Sequence, residues 1–397
     1  MASLFKIFAS LRLTVVLLAL SIVLVFVATL AQTQLGVWGV HQQYFHTFIV
    51  WKNIKGVSVP VFPGGYLVGG LLFVNLVTAH LQRFKLTWRK LGIHLAHAGV
   101  ILLLLGELLS GLWQQEFQLK FNEGDTKNYA ENSRDFELAL IDTTSPGYNE
   151  VVAIPAALLE KGQPLPLTNS QGQALPFTVI PRAYYPNADI RGPAQQPPGE
   201  LPGSRLATTG LGPQLSVTPL PFTYSDDELN LPVASVELMG KDHSFGTWLV
   251  SAYFYLAPKA FSPQTFTDDA GHSWQLDLRP VRDYEPFSLT LIKASHDIYP
   301  GSDIPKNFSS RVRLTSADGR EDSEKLIYMN APLRYNGMTF YQQQMDTPDY
   351  KSVLQVVRNP SWKLPYISCL MVAGGLLWQF GLSLVTFISR RKSSAAA

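Results

Sequence analysis

The sequence predicts a membrane protein with four transmembrane α-helices and one large, mainly antiparallel β domain outside the membrane, between the third and fourth helices. Three observations predict it. Apolar runs fit to cross about 30 Å of hydrocarbon occur at about residues 11–31, 66–81, 91–112 and 364–388. Between the last two, apolar and polar residues alternate with period two in one segment after another, the mark of half-buried strands. Charge is also partitioned. Residues 114–362 hold 20 Lys and Arg against 29 Asp and Glu, while the other 12 basic residues all flank apolar segments and only Glu107 opposes them.

Composition narrows the function classes. Of 397 residues, 16% are charged, against about 25% in soluble domains. A net charge of +2 gives no sign of a nucleic-acid partner. The single cysteine, Cys369, lies in an apolar run. One thiol excludes a disulfide framework, a CxxC redox pair and a CxxCH haem-attachment motif. Thiol or covalent haem chemistry near this chain therefore belongs to another protein. Walker, Rossmann and GxSxG patterns are absent from suitable contexts.

The first span, Leu11 to Ala31, follows Lys6 and Arg12. It exceeds the 7–15-residue apolar core usual in a signal peptide, so it reads as a retained anchor with a cytoplasmic N-terminus. Residues 32–65 read as an external loop rich in aromatics, with His41 and His46 as solvated loop residues. The second span, Tyr66 to Leu81, returns inward, and Gly65 and Gly69 form a small-xxx-small pair suited to close helix approach. Arg83, Lys85, Arg89 and Lys90 make a basic hinge. The third span, Leu91 to about Leu112, carries Gly92, Gly99 and Gly106 seven residues apart, on one slowly drifting seam. Such a seam admits a neighbouring backbone.

From Gln114 the character changes to strands, in FQLKF, FELALI, ASVELM, TWLVSAYFY, FSLTLIK, SRVRLTS, MTFYQQQ and SVLQVV, broken by turn sequences such as NEGD, SADG and YNG. The domain spans residues 114–362, after a membrane domain over 1–113 and before a final segment over 363–397. The Pro/Gly-rich tract at about 186–213 reads as a loop or as the join between two β lobes. His243, His272 and His296 show no ligand spacing and read as surface residues. Arg390, Arg391 and Lys392 follow the fourth span and place the C-terminus in the cytoplasm.

The third span poses the chemical question. An ionisable residue in a membrane helix marks function by default, and His94 and His97 lie there about 60° apart on one side. His97 is about 160° from Gly99 and about 9 Å inside the inner end of the helix. If the seam packs against this chain's own helices, His97 faces away from them, toward a partner or a ligand. His80, at the inner end of the second span, reads as an interfacial residue. A proton relay would want more carboxylates than Glu107, which lies off the His97 face. A bare metal would want more ligands than two histidines at i, i+3. Haem iron, which takes one axial imidazole from each side, and a structural hydrogen-bonded histidine both remain open.

The motifs carry a resemblance. The order FASLRLTVVLL (residues 8–18), VNLVTAHLQR, GIHLAHAGVILLLLGELLSG, LKFNEGDTKNY, NGMTFYQQQMD (Asn336 to Asp346) and SVLQVVRNPSWKLPY resembles the ResB/CcsB family of cytochrome c biogenesis membrane proteins, as does the layout of three spans, outer β domain and last span. The resemblance implies the two-protein System II route of cytochrome c maturation. It implies a tryptophan-rich partner of the CcsA/ResC type, transport of haem b across the bacterial inner membrane, and presentation of that haem to apocytochrome c. A thioredoxin-like reductant would act indirectly, on the apocytochrome thiols. The family's transmembrane haem ligand lies in the third span, nine residues before a glycine. His97 with Gly106 fits that position, and His94 is the second choice or a support. The eight tryptophans are dispersed, so this chain lacks the partner's haem-handling segment and is expected to be a subunit of a haem lyase complex without catalytic residues of its own. Two alternatives stand beside this reading: a four-span receptor or sensor with an outer ligand-binding domain, and a haem-b electron-transfer anchor.

Overall fold

The computed structural model describes residues 6–83, 87–195, 206–224, 229–301, 305–347 and 350–395. The chain forms two compact units. The first holds Tyr224 and the described residues up to Gln115 and from Arg358 onward. Its framework is four helices: α1 (Leu11–Val40), α2 (Gly65–Arg83), α3 (Leu91–Trp113) and α4 (Leu364–Ala395). All four are long and apolar enough to cross a membrane.

The glycine seam packs as its period implies. Gly92, Gly99 and Gly106 are buried. A Cβ on Gly92 would stand 2.5 Å from the Gly375 carbonyl oxygen, and one on Gly99 would stand 2.8 Å from a Val372 methyl and 2.9 Å from the Ser368 carbonyl oxygen. The neighbour admitted is therefore α4, which carries its own glycine at the crossing. Both ends of the pair are pinned by hydrogen bonds. At one, the Trp378 indole donates to the Trp88 carbonyl at 3.1 Å, and the two rings meet edge to face at 5.0 Å. At the other, Ser110 and Ser361 hydroxyls lie 2.9 Å apart, and the Asn359 amide donates to Ser110 and Gln114. The RNPSW motif is thus the clasp that holds α4 to the end of α3.

Two expectations need correction. First, residues 32–65 are not an irregular loop. Helix α1 runs on to Val40 across a kink at Gly36 (φ 68°, ψ 175°), a conformation that only glycine adopts cheaply. A π-turn, His41–Phe45, follows, and then an antiparallel hairpin of β1 (Ile49–Ile54) and β2 (Val57–Pro63). Second, Gly65 and Gly69 seat no helix. A Cβ on Gly69 would meet nothing within 4 Å, while Gly65 lies under the Phe45 backbone. Lys85 of the basic hinge lies outside the described residues.

The second unit is built from strands: β3 (Gln115–Phe121), β4 (Thr126–Asp142), β5 (Glu150–Pro155), β6 (Leu165–Thr168), β7 (Ala174–Tyr185), β8 (Ala188–Arg191) and β9 (Ser216–Pro219). They continue as β10 (Val233–Met239), β11 (Ser244–Ser251), β12 (Gln264–Thr267), β13 (Ser273–Ile298) and β14 (Pro305–Ser316). The last are β15 (Asp322–Tyr328), β16 (Leu333–Tyr335), β17 (Met338–Met345) and β18 (Ser352–Arg358). The main sheet runs β15-β14-β13-β4-β3-β18-β17-β16, and a smaller sheet runs β11-β10-β7-β6.

Two apolar cores result. One joins the smaller sheet to Leu138, Leu140, Leu276 and Leu278. The other holds Phe121, Ala130, Leu289, Leu291, Leu314 and Leu354. The long strands β4 and β13 supply side chains to both, so they join the lobes, and the Pro/Gly tract does not. Part of that tract, residues 196–205, lies outside the described residues. The NEGD turn is fixed by its own carboxylates. Asp125 accepts from the Asn122 amide, and Glu123 accepts from the Ala294 amide of β13. Asn336 and Gly337, both at positive φ, make the tight turn between β16 and β17 in the manner of a primed hairpin turn.

The α3–α4 contact sets a test in which two effects oppose. Replacing glycine by alanine inside a helix normally stabilises by about 1 kcal/mol. Crowding a packed site costs about 1–3 kcal/mol. We expect Gly99→Ala to lower the thermal stability of the detergent-solubilised protein, because its Cβ meets α4 backbone, and Gly69→Ala to raise it slightly. Equal shifts in the two variants would refute the packed seam.

Candidate functional site

Helices α2 and α3 bring three histidines together. His80 belongs to α2, and His94 and His97 belong to α3. The His80 ring meets His94 edge-on at 5.1 Å and lies nearly parallel to His97 at 6.2 Å, with 28° between the planes. His97 is exposed, and His80 and His94 are half-buried. His97 does face away from the glycine seam and from α4, as its position on the helix implies. It does not face away from the whole chain, because α2 lies beside it. His80 was expected to reach an interface alone, and it instead completes the cluster. Depth allows for it: the short hinge returns the chain antiparallel, so His80 is the one other histidine at a depth matching His94 and His97.

The hydrogen bond of His97 fixes its chemistry. Nδ1 lies 2.7 Å from the Ile93 carbonyl oxygen, one turn back. A carbonyl can only accept, so Nδ1 carries the proton of this bond, and Nε2 is the nitrogen left to offer a lone pair. A backbone carbonyl on the other ring nitrogen is the usual support of a metal-ligating histidine, and it raises the basicity of the free nitrogen. Among the described residues no set of three or more His, Cys, Asp or Glu side chains is disposed to hold a metal ion. The cluster can offer one imidazole to an iron already held in a macrocycle, which is less than a bare cation needs.

Helix α2 is itself located by a buried amide. Asn75 is 1% exposed. Its Nδ2 donates to the Phe8 carbonyl at 2.5 Å and to the Ser10 carbonyl at 3.2 Å, and its Oδ1 accepts from the Thr14 hydroxyl at 2.7 Å. The two motifs FASLRLTVVLL and VNLVTAHLQR, far apart in sequence, therefore meet at one side chain. His80 follows Asn75 by five residues on the same helix, so this anchor sets where the His80 ring stands.

A second histidine group lies at the opposite end of α2 and α3. His41 and His46 meet edge to face at 5.6 Å, and His46 stacks on Tyr66 at 5.5 Å with 7° between the planes. Burial, helped by His41 and opposed by the charge of Glu107, holds the His46 imidazole below its usual range. The sequence implies solvated loop residues at both positions; His41 is exposed, whereas His46 is half-buried. Elsewhere the histidines stand near carboxylates of the β unit: His243 near Asp269, His272 near Asp268 and His296 near Asp346.

Comparison with known proteins adds the following. Residues 263–353 match the ResB-like family. The chain is 32% identical over 93 residues to protein NrfI of Wolinella succinogenes, which is 23% of this chain and 10% of that protein. It is 31% identical over 93 residues to the cytochrome c biogenesis protein CcsB of Picosynechococcus sp., covering 23% of this chain and 20% of that one. Against the cytochrome c biogenesis protein CcsB of Crocosphaera subtropica it is 35% identical over 71 residues, 18% of this chain and 15% of the relative. The chain thus spans no more than a fifth of the length of these curated relatives. The chain is similar to ResB/CcsB-like proteins, and its family match covers residues of β12 to β18 in the second unit and none of the three clustered histidines.

The Asn75 anchor yields an expectation. Asn75→Ala removes the donor to the Phe8 carbonyl and the acceptor of the Thr14 hydroxyl, while the Ser10 carbonyl keeps the Thr14 amide and hydroxyl, at a cost of about 1–3 kcal/mol. Its melting temperature in detergent should fall below that of Thr14→Val, which removes the hydroxyl's bonds to Asn75 and Ser10 but keeps both Asn75 donations. An Asn75→Ala protein as stable as the parent would remove the anchoring role.

Proposed function

We propose that this ResB-like chain acts in cytochrome c biogenesis as the membrane subunit that handles haem, with His97 as an axial ligand through Nε2. The observation that carries the reading is the His97 Nδ1–Ile93 carbonyl hydrogen bond, which leaves Nε2 as the free donor on an exposed, apolar helix face. Haem here is cargo. The His97 imidazole binds its iron on one side, Ile93 and Val100, exposed on the same stretch of helix, offer apolar surface to the ring, and His94 supports the site from one turn away. His80 is close enough to His97 to share the ligand or hold a proton beside it.

The remaining coordination position is assigned to a tryptophan-rich CcsA/ResC-type partner, which with this chain would carry haem b across the bacterial inner membrane and present it to apocytochrome c. The lack of a CxxCH motif and of a tryptophan-rich segment in this chain supports that division of labour. The basic flanks support a topology with both termini in the cytoplasm and the β unit on the outer face. That topology puts His97 near the cytoplasmic leaflet. Among the described residues the β unit shows a buried salt bridge, Arg279 to Glu137 at 3.0 Å, and carboxylates engaged in turns; its part in the proposed route is docking of the apocytochrome or the partner.

Two measurements test this reading. Copurified with its partner, the protein should show the absorption spectrum of imidazole-ligated haem. His97→Ala should lose most of that haem and regain it with added imidazole, while His94→Ala keeps most of it. An unchanged spectrum in His97→Ala would sink the ligand assignment. For topology, reporters placed beside Lys90 and at the Gly271 turn should report cytoplasm and exterior respectively, and a cytoplasmic Gly271 overturns the orientation.

A further inference from the structure

We propose that the β1–β2 hairpin is a membrane-surface element: its Ile54, Val57 and Val59 side rests on the acyl-chain boundary, and Lys52 and Lys55 meet the phosphates of anionic lipid headgroups. The inference stands on the first unit alone and does not depend on the haem-handling reading.

The hairpin has an apolar side and a polar one. Its register pairs Val50 with Phe62, Lys52 with Val59 and Ile54 with Val57. Paired residues share a face, and every second residue of a strand returns to it, so these six lie on one side. Trp51 with Pro60 and Asn53 with Ser58 lie on the other. At the base Val50 is buried and Phe62 is half-buried. Toward the tip the same side is open: Val59 is 37% exposed, Ile54 52% and Val57 63%. Behind them the other side carries Asn53 and Ser58, and the Asn53 side-chain oxygen closes the turn by accepting from the Gly56 amide at 2.8 Å.

The hairpin is held where the spans end. Its base is clamped to the start of α2: the Gly64 amide donates to the Phe48 carbonyl at 2.9 Å and the Tyr66 amide to the Thr47 carbonyl at 3.2 Å. The approach is so close that a Cβ on Gly65 would stand 2.5 Å from the Phe45 carbonyl oxygen. The helices on either side, α1 and α2, are both long and apolar enough to cross a membrane. Two constraints then fix the depth. The sheet has two strands only, so among the described residues each has an edge with no strand beside it, and open sheet edges do not occur against hydrocarbon. In bulk water an isolated two-stranded hairpin is marginal, and this one would leave its apolar side wet. The headgroup layer meets both demands, with water and phosphate oxygens for the edges and the acyl boundary for the apolar side. Charge selects the lipid. The first carboxylate of the chain is Glu107, so Lys52 and Lys55 stand in a stretch with no Asp or Glu. Lys52 shares the apolar side, where its stem can lie along apolar surface while the ammonium reaches a phosphate. Lys55 sits at the tip, in the turn it makes with Gly56.

The test is nitroxide depth measurement on the full-length chain in lipid nanodiscs. Cys369→Ser removes the single native thiol, and one cysteine at a time is then introduced and spin-labelled. Collisions with oxygen, which enters lipid, are compared with collisions with a water-soluble nickel chelate. Ile22→Cys, exposed on α1 within the span, gives the deep reference, and Asn149→Cys, exposed between β4 and β5, gives the aqueous one. Val57→Cys and Val59→Cys should favour oxygen several-fold over the aqueous reference and lie at a depth between the two, while Ser58→Cys reports water. Adding phosphatidylglycerol to phosphatidylcholine should slow the Val57→Cys label, and Lys52→Gln with Lys55→Gln should abolish that response. Values at 57 and 59 equal to those at 149 overturn the membrane contact. Exclusion of both reagents there means that protein covers the face, a second copy or another chain, and overturns lipid as its occupant. A depth equal to that at 22 overturns the headgroup placement, and an undiminished phosphatidylglycerol response in the lysine variant overturns the phosphate contact.

Discussion

The close approach of α3 to α4 along Gly92, Gly99 and Gly106 is the constraint on which the membrane unit depends. In lipid no hydrophobic drive brings one apolar helix to another, so association rests on packing and hydrogen bonds. A glycine every seventh residue removes the side chains that would hold the backbones apart. Gly375 of α4 faces Gly92 across the contact, so the crossing is closest there. The indole bond of Trp378 and the Asn359–Ser110 clasp then hold the pair at its two ends. With that side of α3 committed, its other side is fixed in space, and the histidines on it face α2.

The helices and the strands were legible because their periodicity follows directly from burial. The seam was legible for the same reason: seven residues is nearly two helical turns, so three glycines at that interval can only form a line. Contacts between helices were less so. His80 was read from its own helix, where it sits near an end, and nothing in its immediate sequence names His97 as a neighbour. The hairpin at Ile49–Pro63 escaped because its turn, Lys55–Gly56, has positive φ at both residues but lacks the Asn-Gly or Asp-Gly pair that signals such a turn. The Val, Ile and Trp alternation around it was the available sign, and the aromatic content of the stretch pointed instead to a membrane surface.

The β unit shows a different limit. The strands β4 and β13 run for 17 and 26 residues, well beyond the usual five or six. Their sequences contain polar and proline residues, such as Asn132, Pro280 and Pro286, that look like strand ends. In the fold these are places where the register shifts: between Pro280 and Arg282, and between Tyr284 and Leu289. Each strand bends there and passes from one core to the other. A strand that changes cores must carry its polar interruptions at the crossover, so the very feature that connects the lobes disguises them as separate segments.

The motifs that carried the family resemblance turn out to be contacts. Phe8 and Ser10 meet Asn75; Asn359 and Ser361 meet Ser110; Asn122 accepts from the Lys351 amide, tying the first strand of the β unit to its last. These motifs therefore report architecture: they fix where α2 and α4 stand against their neighbours. The histidines are different. None of these contacts needs an imidazole at position 97, and a leucine there would suit an apolar helix face better. Its hydrogen bond to the Ile93 carbonyl occupies Nδ1, and the ring is exposed. An iron porphyrin has two axial positions and two broad faces, more than one exposed helix face can cover. On the proposed haem-handling reading, the half of a site that this chain would provide is sufficient to orient a porphyrin and insufficient to enclose it, the property expected of a subunit that hands its cargo on.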